Sequence, residues 1–230
     1  MKTIGLIGGM SWESTISYYQ IINETVRERL GGLHSAKILL YSVDFDEIER
    51  YQSSGQWEQA GHILGRAAQT LEGSGADFIL LCTNTLHKVA AQIAAMIHIP
   101  LLHIADATAD ALQRDGVRRV ALLGTKYTMT ENFYRQKLAD RGFEVLLPDA
   151  SDMEQIHRII FQELCLGQIC ETSRRFFCRV IERLKLQGAE AAILGCTEIG
   201  LLLHPEDPSL PLYDTAALHA RHAAELALAD

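Results

Sequence analysis

The chain has 230 residues, 48% of them hydrophobic and 22% charged, the balance of a soluble globular protein with one large or two small α/β domains. A formal net charge of −8 leaves no basic footprint for nucleic acid or an anionic membrane, although a local pocket can still oppose the global sign. No run of about 20 apolar residues offers a membrane span. The five cysteines (Cys82, Cys165, Cys170, Cys178 and Cys196) make no even set and no CxxC, which argues against a disulfide framework or a zinc site and for a reducing cytoplasm.

Short β-rich apolar runs alternate with helical stretches along the whole chain. The N-terminus lacks a cleavage-site pattern and reads as a first buried strand at 3–7, followed by a helix at 12–29. A strand at 36–43 and a helix at 57–72 come next, then a strand at 78–81 and a helix at 85–96. Strand 101–104 leads to helix 105–113, strand 120–123 to helix 130–141, and strand 144–147 to helices 152–166 and 172–187. Strand 191–194, strand 210–213 and a last helix at 215–228 complete the series. Continuous apolar strands with intervening helices predict parallel sheets covered on both faces.

The series repeats itself. Thr3-Ile4-Gly5-Leu6-Ile7-Gly8 is echoed by Arg119-Val120-Ala121-Leu122-Leu123-Gly124, and each is followed by an aromatic at a matching place, Tyr18 and Tyr134. The run from Gly75 to Thr83 is echoed by the run from Gly188 to Cys196, and Ile99-Pro100-Leu101 by Leu210-Pro211-Leu212. Two similar α/β domains follow, related by a pseudo-twofold, with a site expected in the cleft between them. The expected boundaries are residues 1–104 with 212–230 for the first domain and 105–211 for the second.

The repeat makes Thr83 and Cys196 equivalent, each just after a buried strand and at a helix start. Ligands of open α/β sheets gather at the carboxyl ends of strands. A helix N-terminus there would favour a bound carboxylate and depress a thiol into the range where thiolate is available near neutral pH. The groups that follow, Asn84-Thr85 and Thr197-Glu198, are short hydrogen-bonding side chains suited to a carboxylate and an ammonium. Two groups on opposite faces of one carbon are what racemisation needs, since one removes the α-proton and the other delivers a proton from the far side. The loop Gly5-Leu6-Ile7-Gly8-Gly9-Met10 has neither GxGxxG spacing nor a P-loop Lys-Ser/Thr, so a nucleotide is not implied.

These runs resemble a known family. Ile79-Leu80-Leu81-Cys82-Thr83-Asn84-Thr85-Leu86-His87 resembles the first signature of the aspartate/glutamate racemase superfamily, and Ile193-Leu194-Gly195-Cys196-Thr197-Glu198-Ile199-Gly200-Leu201-Leu202 the second. The likeness extends to Gly8-Gly9-Met10-Ser11-Trp12-Glu13, to Leu123-Gly124-Thr125 with Thr128-Met129, and to Tyr213-Asp214-Thr215, and it looks closest to the L-aspartate/glutamate-specific branch. It implies a cytoplasmic, cofactor- and metal-independent racemase of a small acidic amino acid, with Cys196 and Thr83 as catalytic groups. Substrate contacts are implied at Met10, Gln52, Asn84, Thr85, Thr128, Thr197 and Glu198, and a homodimer is the expected assembly. In the family the second-signature cysteine deprotonates the L-enantiomer and the first-signature cysteine serves the D-enantiomer. Here the first cysteine is displaced: Thr83 precedes Asn84, and Cys82 pairs in the repeat with Gly195. A one-residue displacement on a strand turns a side chain to the other face, so Cys82 is expected to pack behind the site. His87 is expected on a helix surface, and Cys165, Cys170 and Cys178 on helices as core or incidental residues. A single-cysteine decarboxylase or isomerase of the same superfamily, a broad-specificity amino-acid racemase and a non-catalytic binding protein are the competing readings.

Overall fold

The computed structural model describes residues 1–229. The chain forms two compact units, Met1–Ile104 joined by the segment from His219 onward, and Ala105–Leu218. Each holds one four-stranded parallel sheet, with strand orders that correspond one to one.

In the first unit β1 (Thr3–Gly8) and β3 (Phe78–Leu81) lie inside the sheet, with β2 (Lys37–Ser42) and β4 (Leu101–Leu102) at its edges. All four residues of β3 are buried, because helices cover both faces, which is why the strand reads as an unbroken apolar run. Helices α1 (Trp12–Leu30), α2 (Phe45–Ser53) and α3 (Trp57–Gly73) connect the first three strands, and a 3₁₀ turn (Thr85–Val89) with the short α4 (Ala90–Ala94) joins β3 to β4. The Ser11 side chain caps α1 by accepting from the Ser14 N–H, and Asp44 caps α2 through the Asp46 N–H. Ile7, Ile48, Leu64, Leu71, Ile79, Leu81 and Ile93 pack together beneath one face of the sheet.

After α5 (Ile104–Arg114), the second unit repeats the plan. There β5 (Arg119–Gly124) and β7 (Ala191–Gly195) are central, and β6 (Glu144–Leu146) and β8 (Leu212–Asp214) flank them. Helices α6 (Lys126–Thr130), α7 (Asn132–Asp140), α8 (Ala150–Gln162), α9 (Glu171–Leu186) and α10 (Ile199–Leu202) surround them, and Leu123, Met129, Ile159, Phe177, Ile181, Leu184 and Leu194 form the core. The last helix, α11 (Thr215–Leu228), carries the chain back to the first unit.

The duplication reaches single hydrogen bonds. Asp77 and Glu190 each donate their N–H to the first carbonyl of the central strand, that of Thr3 or Arg119, and their carboxylates accept from the same residue's N–H. Ile79 and Ala192 each donate to a proline carbonyl, Pro100 and Pro211. The buried tyrosines of the repeat are matched too: the Tyr18 hydroxyl bonds His219 and the Tyr134 hydroxyl donates to Thr108.

Three expectations change. The chain returns to the first unit at His219 rather than at residue 212, because β8 pairs with β7 and belongs to the second sheet. The single helix expected at 85–96 is a 3₁₀ turn and one short helix. Helix α2 was not anticipated, since its apolar stripe is thin and it buries only Ile48 and Gln52.

Candidate active site

Thr83 lies two residues past β3 and Cys196 one residue past β7, both buried. Their equivalence follows from strand register. Ile7 stands opposite Leu81 as Leu123 stands opposite Leu194, and Ile4 opposite Phe78 as Val120 stands opposite Ala191. Counting on from these pairs sets Cys82 against Gly195 and Thr83 against Cys196. Gly195 has no room for a side chain, since a Cβ there would lie 2.9 Å from the Leu123 carbonyl oxygen and 2.9 Å from Leu122 Cδ1. The first unit accommodates Cys82 at the matching place.

Around Thr83, the imidazole of His87 closes a short loop. Its Nε2 accepts from the Ile104 N–H at 3.2 Å, so Nδ1 carries the proton and donates to the Thr83 carbonyl at 2.8 Å. The 3₁₀ turn rotates His87 inward, where it is buried with its ring centroid 4.5 Å from His103 and 5.8 Å from His219; the expected surface position is therefore corrected. His219 accepts from the Tyr18 hydroxyl at 2.9 Å and donates to the Leu102 carbonyl at 3.1 Å, and burial holds its pKa well below the ordinary range. Neutral imidazole thus backs the Thr83 strand end. Asn84 and Thr85 are buried beside it, and Met10 packs in the same core as Leu81 and Leu86. Gln52 is buried in the last turn of α2, with its Oε1 lacking a hydrogen-bond partner.

Around Cys196, the thiol donates to Glu198 Oε2 at 2.9 Å, and the Thr197 hydroxyl donates to the same oxygen at 2.9 Å. Thr125 caps α6, its hydroxyl 3.2 Å from that of Thr128, and the Thr128 methyl lies against Gly195. Cys196, Thr197, Glu198 and Thr128 therefore share one strand end. Two residues that sequence reasoning did not assign a role brace it. Thr215 donates to the Leu194 carbonyl at 2.8 Å, and the Asp214 carboxylate packs where any side chain on Gly200 would stand. The signal for this brace was Gly200 close behind Glu198, with Asp-Thr preceding a helix.

A model of the Asp/Glu/hydantoin racemase family matches residues 7–223. The chain belongs to this family. It is 55% identical to a candidate Asp/Glu racemase from Yersinia pestis of known crystal structure, each chain covered over 100% of its length, with a TM-score of 0.92. It is 38% identical to an aspartate racemase homologue from Pyrococcus horikoshii OT3, with 99% of each chain covered and a TM-score of 0.85. It is also similar to the broad specificity amino-acid racemase RacX of Bacillus subtilis (strain 168), 23% identical over 98% of each chain. Racemases are isomerases, and the two-sheet α/β architecture is that of the racemase fold.

Within this racemase framework the electrostatics of Cys196 differ from the expectation. Desolvation pushes its pKa well above the ordinary thiol value, and the Glu198 carboxylate pushes it further. A depressed thiol was expected from a helix N-terminus. The helix that follows is only Ile199–Leu202, too short for an appreciable dipole, and a carboxylate stands at the sulfur instead. Cys196 therefore rests as a thiol whose proton already points at a base. Cys82 is fully buried at the end of an all-buried strand, and desolvation alone raises its pKa. No group of three or more His, Cys, Asp or Glu able to hold a metal occurs among the described residues.

Proposed function

We propose that the chain racemises a small amino acid without a cofactor, with Cys196 and Thr83 serving opposite faces of the α-carbon and the L-enantiomer handled more readily. The observation that carries this reading is the inequality of two equivalent strand ends. One holds a thiol bonded to a carboxylate at 2.9 Å, and the other holds a hydroxyl residue whose carbonyl is pinned by a neutral histidine.

The thiol proton passes to Glu198 Oε2 along the existing hydrogen bond, leaving a thiolate. The thiolate takes the α-proton, and the electron pair of the broken C–H bond moves into the α-carboxylate as an enediolate. Asn84 and Thr85, with backbone N–H groups at the strand ends, supply donors for that charge, while the Thr197 hydroxyl is engaged with Glu198. Return of a proton from the Thr83 side, through its hydroxyl or a water held by it, inverts the centre. A hydroxyl is a far weaker acid than a thiol, so this second transfer limits net racemisation.

Aspartate and glutamate are the first substrates to test, given the family. A broader range is favoured by a separate observation: the charged residues among the buried polar side chains are Asp152 and Glu198, both acidic. A side-chain carboxylate entering beside Glu198 finds no buried Lys or Arg among the described residues to pair with, and an unpaired charge out of water is costly. Proton NMR in deuterated buffer, with each enantiomer of Asp, Glu and a neutral amino acid of similar size, tests both points. Loss of the α-proton signal from an L-substrate supports the mechanism. Absence of exchange from every amino acid in a protein that binds them would show a binding protein, and release of carbon dioxide from a malonate would show a decarboxylase.

A further inference from the structure

The register that sets Thr83 against Cys196 also sets His87 against Gly200. It sets His103 against Asp214, since Leu80 pairs with Leu102 as Ile193 pairs with Tyr213. One place behind each strand end is therefore filled in two ways. In the second unit the Asp214 carboxylate occupies the space beside Gly200. In the first unit the imidazole of His87 occupies it, with its ring centroid 4.5 Å from that of His103.

The two fillers share one task. Asp214 Oδ1 accepts from the Ala216 and Ala217 N–H groups at the start of α11, at 2.9 and 3.1 Å. His87 Nε2 accepts from the Ile104 N–H at the start of α5. A carboxylate has no proton to give beyond that. The imidazole has a second nitrogen, and its Nδ1–H donates to the Thr83 carbonyl at 2.8 Å. At the Cys196 end the matching carbonyl accepts from a backbone N–H, that of Ile199, at 3.1 Å.

The bond from His87 fixes the direction of one peptide. The cis peptide among the described residues is Met10–Ser11, so Thr83–Asn84 is trans and its N–H points opposite to its C=O. With the carbonyl drawn to His87, the Asn84 N–H is turned the other way, and the Asn84 and Thr85 side chains follow from a fixed start. The imidazole is itself held. It is buried between His103 and His219, and His219 is bonded to the Tyr18 hydroxyl at 2.9 Å and the Leu102 carbonyl at 3.1 Å.

We infer that His87 is a positioning residue of the reaction, which aims the Thr83–Asn84 peptide, and with it Asn84 and Thr85, without touching substrate. This rests on the proposed function only for the identity of the charge those donors meet. Donors set in advance stabilise charge as it develops, so loss of their aim falls on kcat more than on KM.

Two substitutions separate the two nitrogens. In His87→Asn the Nδ2–H stands near the place of Nδ1 and keeps the bond to Thr83, while the bond to Ile104 is lost. In His87→Gln the Oε1 stands near the place of Nε2, and the reverse holds. A merely structural role would make the variant with the higher melting temperature the more active one. Positioning predicts that His87→Gln loses about 10- to 100-fold in kcat with little change in KM. It also predicts that His87→Asn keeps about tenfold more kcat than His87→Gln, whichever melts first. Equal kcat in the two variants, or a wild-type rate in His87→Gln, overturns the inference. A readout without turnover is ¹⁵N NMR of the Cys196→Ala protein, in which coupling across the Ile104 N–H···Nε2 bond identifies the His87 ring. The Nδ1–H signal should be present, and it should shift on saturation with the tightest-binding amino acid of those tested above, because a ligand held by Asn84 and Thr85 polarises the peptide that His87 holds. A proton on Nε2, or an Nδ1–H signal unmoved at saturation, overturns the inference as well. Binding without α-proton exchange in wild type would remove the racemase reading alone, since the NMR arm still reads the geometry.

Discussion

Removing the charge beside Cys196 gives the sharpest test of how the thiol is set. In Glu198→Gln the carboxylate that accepts from Sγ at 2.9 Å becomes a neutral amide of nearly the same shape. A hydrogen bond to a charged group is worth about 1.5–3 kcal/mol, more than one to a neutral amide. Glu198 stabilises the thiol and repels the thiolate, so its neutralisation lowers the Cys196 pKa. The desolvation that ranks first among the causes persists, and the midpoint stays above the ordinary thiol value. Thiolate absorbance near 240 nm, measured against pH with the Cys196→Ala protein subtracted in each background, isolates this one group from the other four cysteines. Exchange of the substrate α-proton should move the opposite way and slow by roughly 10²-fold, because the thiol loses its proton acceptor. A Cys196 midpoint that is unchanged or raised in Glu198→Gln would refute the assignment of Glu198 as the charge that governs the thiol.

Cys196→Ala should abolish α-proton exchange in a protein with wild-type circular dichroism; near-normal exchange would remove Cys196 from the mechanism. Thr83→Cys should raise activity on the D-enantiomer, read as solvent exchange by NMR, and no change would show that the first strand end is not rate-limiting. His219, with its folded pKa depressed, stays neutral in the native state while the unfolded chain binds a proton below about pH 6.5. Stability from this group is present above that pH and lost as pH falls through it, by up to about 1.4 kcal/mol per unit. Urea midpoints at pH 7 and pH 5 should therefore converge in a His219→Gln protein, after allowance for its lower starting stability.

Much of the fold was legible because the signals were global. Unbroken apolar strands such as Phe78-Ile79-Leu80-Leu81 occur where both faces of a sheet are covered, and the repeat of whole blocks fixed two domains and the pairing of Thr83 with Cys196. Local readings failed where a tertiary contact decided them. The residues after Thr85 look helical, yet a 3₁₀ turn brings His87 inward to the Thr83 and Ile104 backbone, atoms that sequence spacing cannot locate. The run Leu212–Asp214 sits near the end of the chain and reads as the start of the return, but its ladder partner is β7. Likewise the position of Cys196 at a strand end was readable, whereas its electrostatics depended on where the Glu198 side chain turned. Glu198 was singled out as a substrate contact, and nothing in Cys-Thr-Glu says that the carboxylate curls back to the sulfur of residue 196.

The unequal strand ends carry a thermodynamic constraint on what asymmetry can mean. The two enantiomers of an amino acid have equal free energy in water, so the equilibrium constant is one. The ratio kcat/KM must then be identical in the two directions, since both pass through the same highest barrier from free enzyme and free substrate. Under the proposed mechanism, a thiol on one face and a hydroxyl on the other could not make a one-way catalyst. They can only divide the same quotient differently, by binding one enantiomer more tightly and turning it over more slowly. Isotope exchange escapes this constraint, because a proton can leave and return on the Cys196 side without the centre inverting. Under the proposed mechanism the barrier on the Thr83 side is the higher, and the intermediate formed from the L-enantiomer would return more often than it crosses. The expected outcome is that solvent exchange into L-substrate outruns racemisation, while the D-enantiomer, whose proton would have to cross the Thr83 barrier first, exchanges no faster than it racemises. That difference separates a duplicated fold with one effective base from one with two, and it does so in wild-type protein.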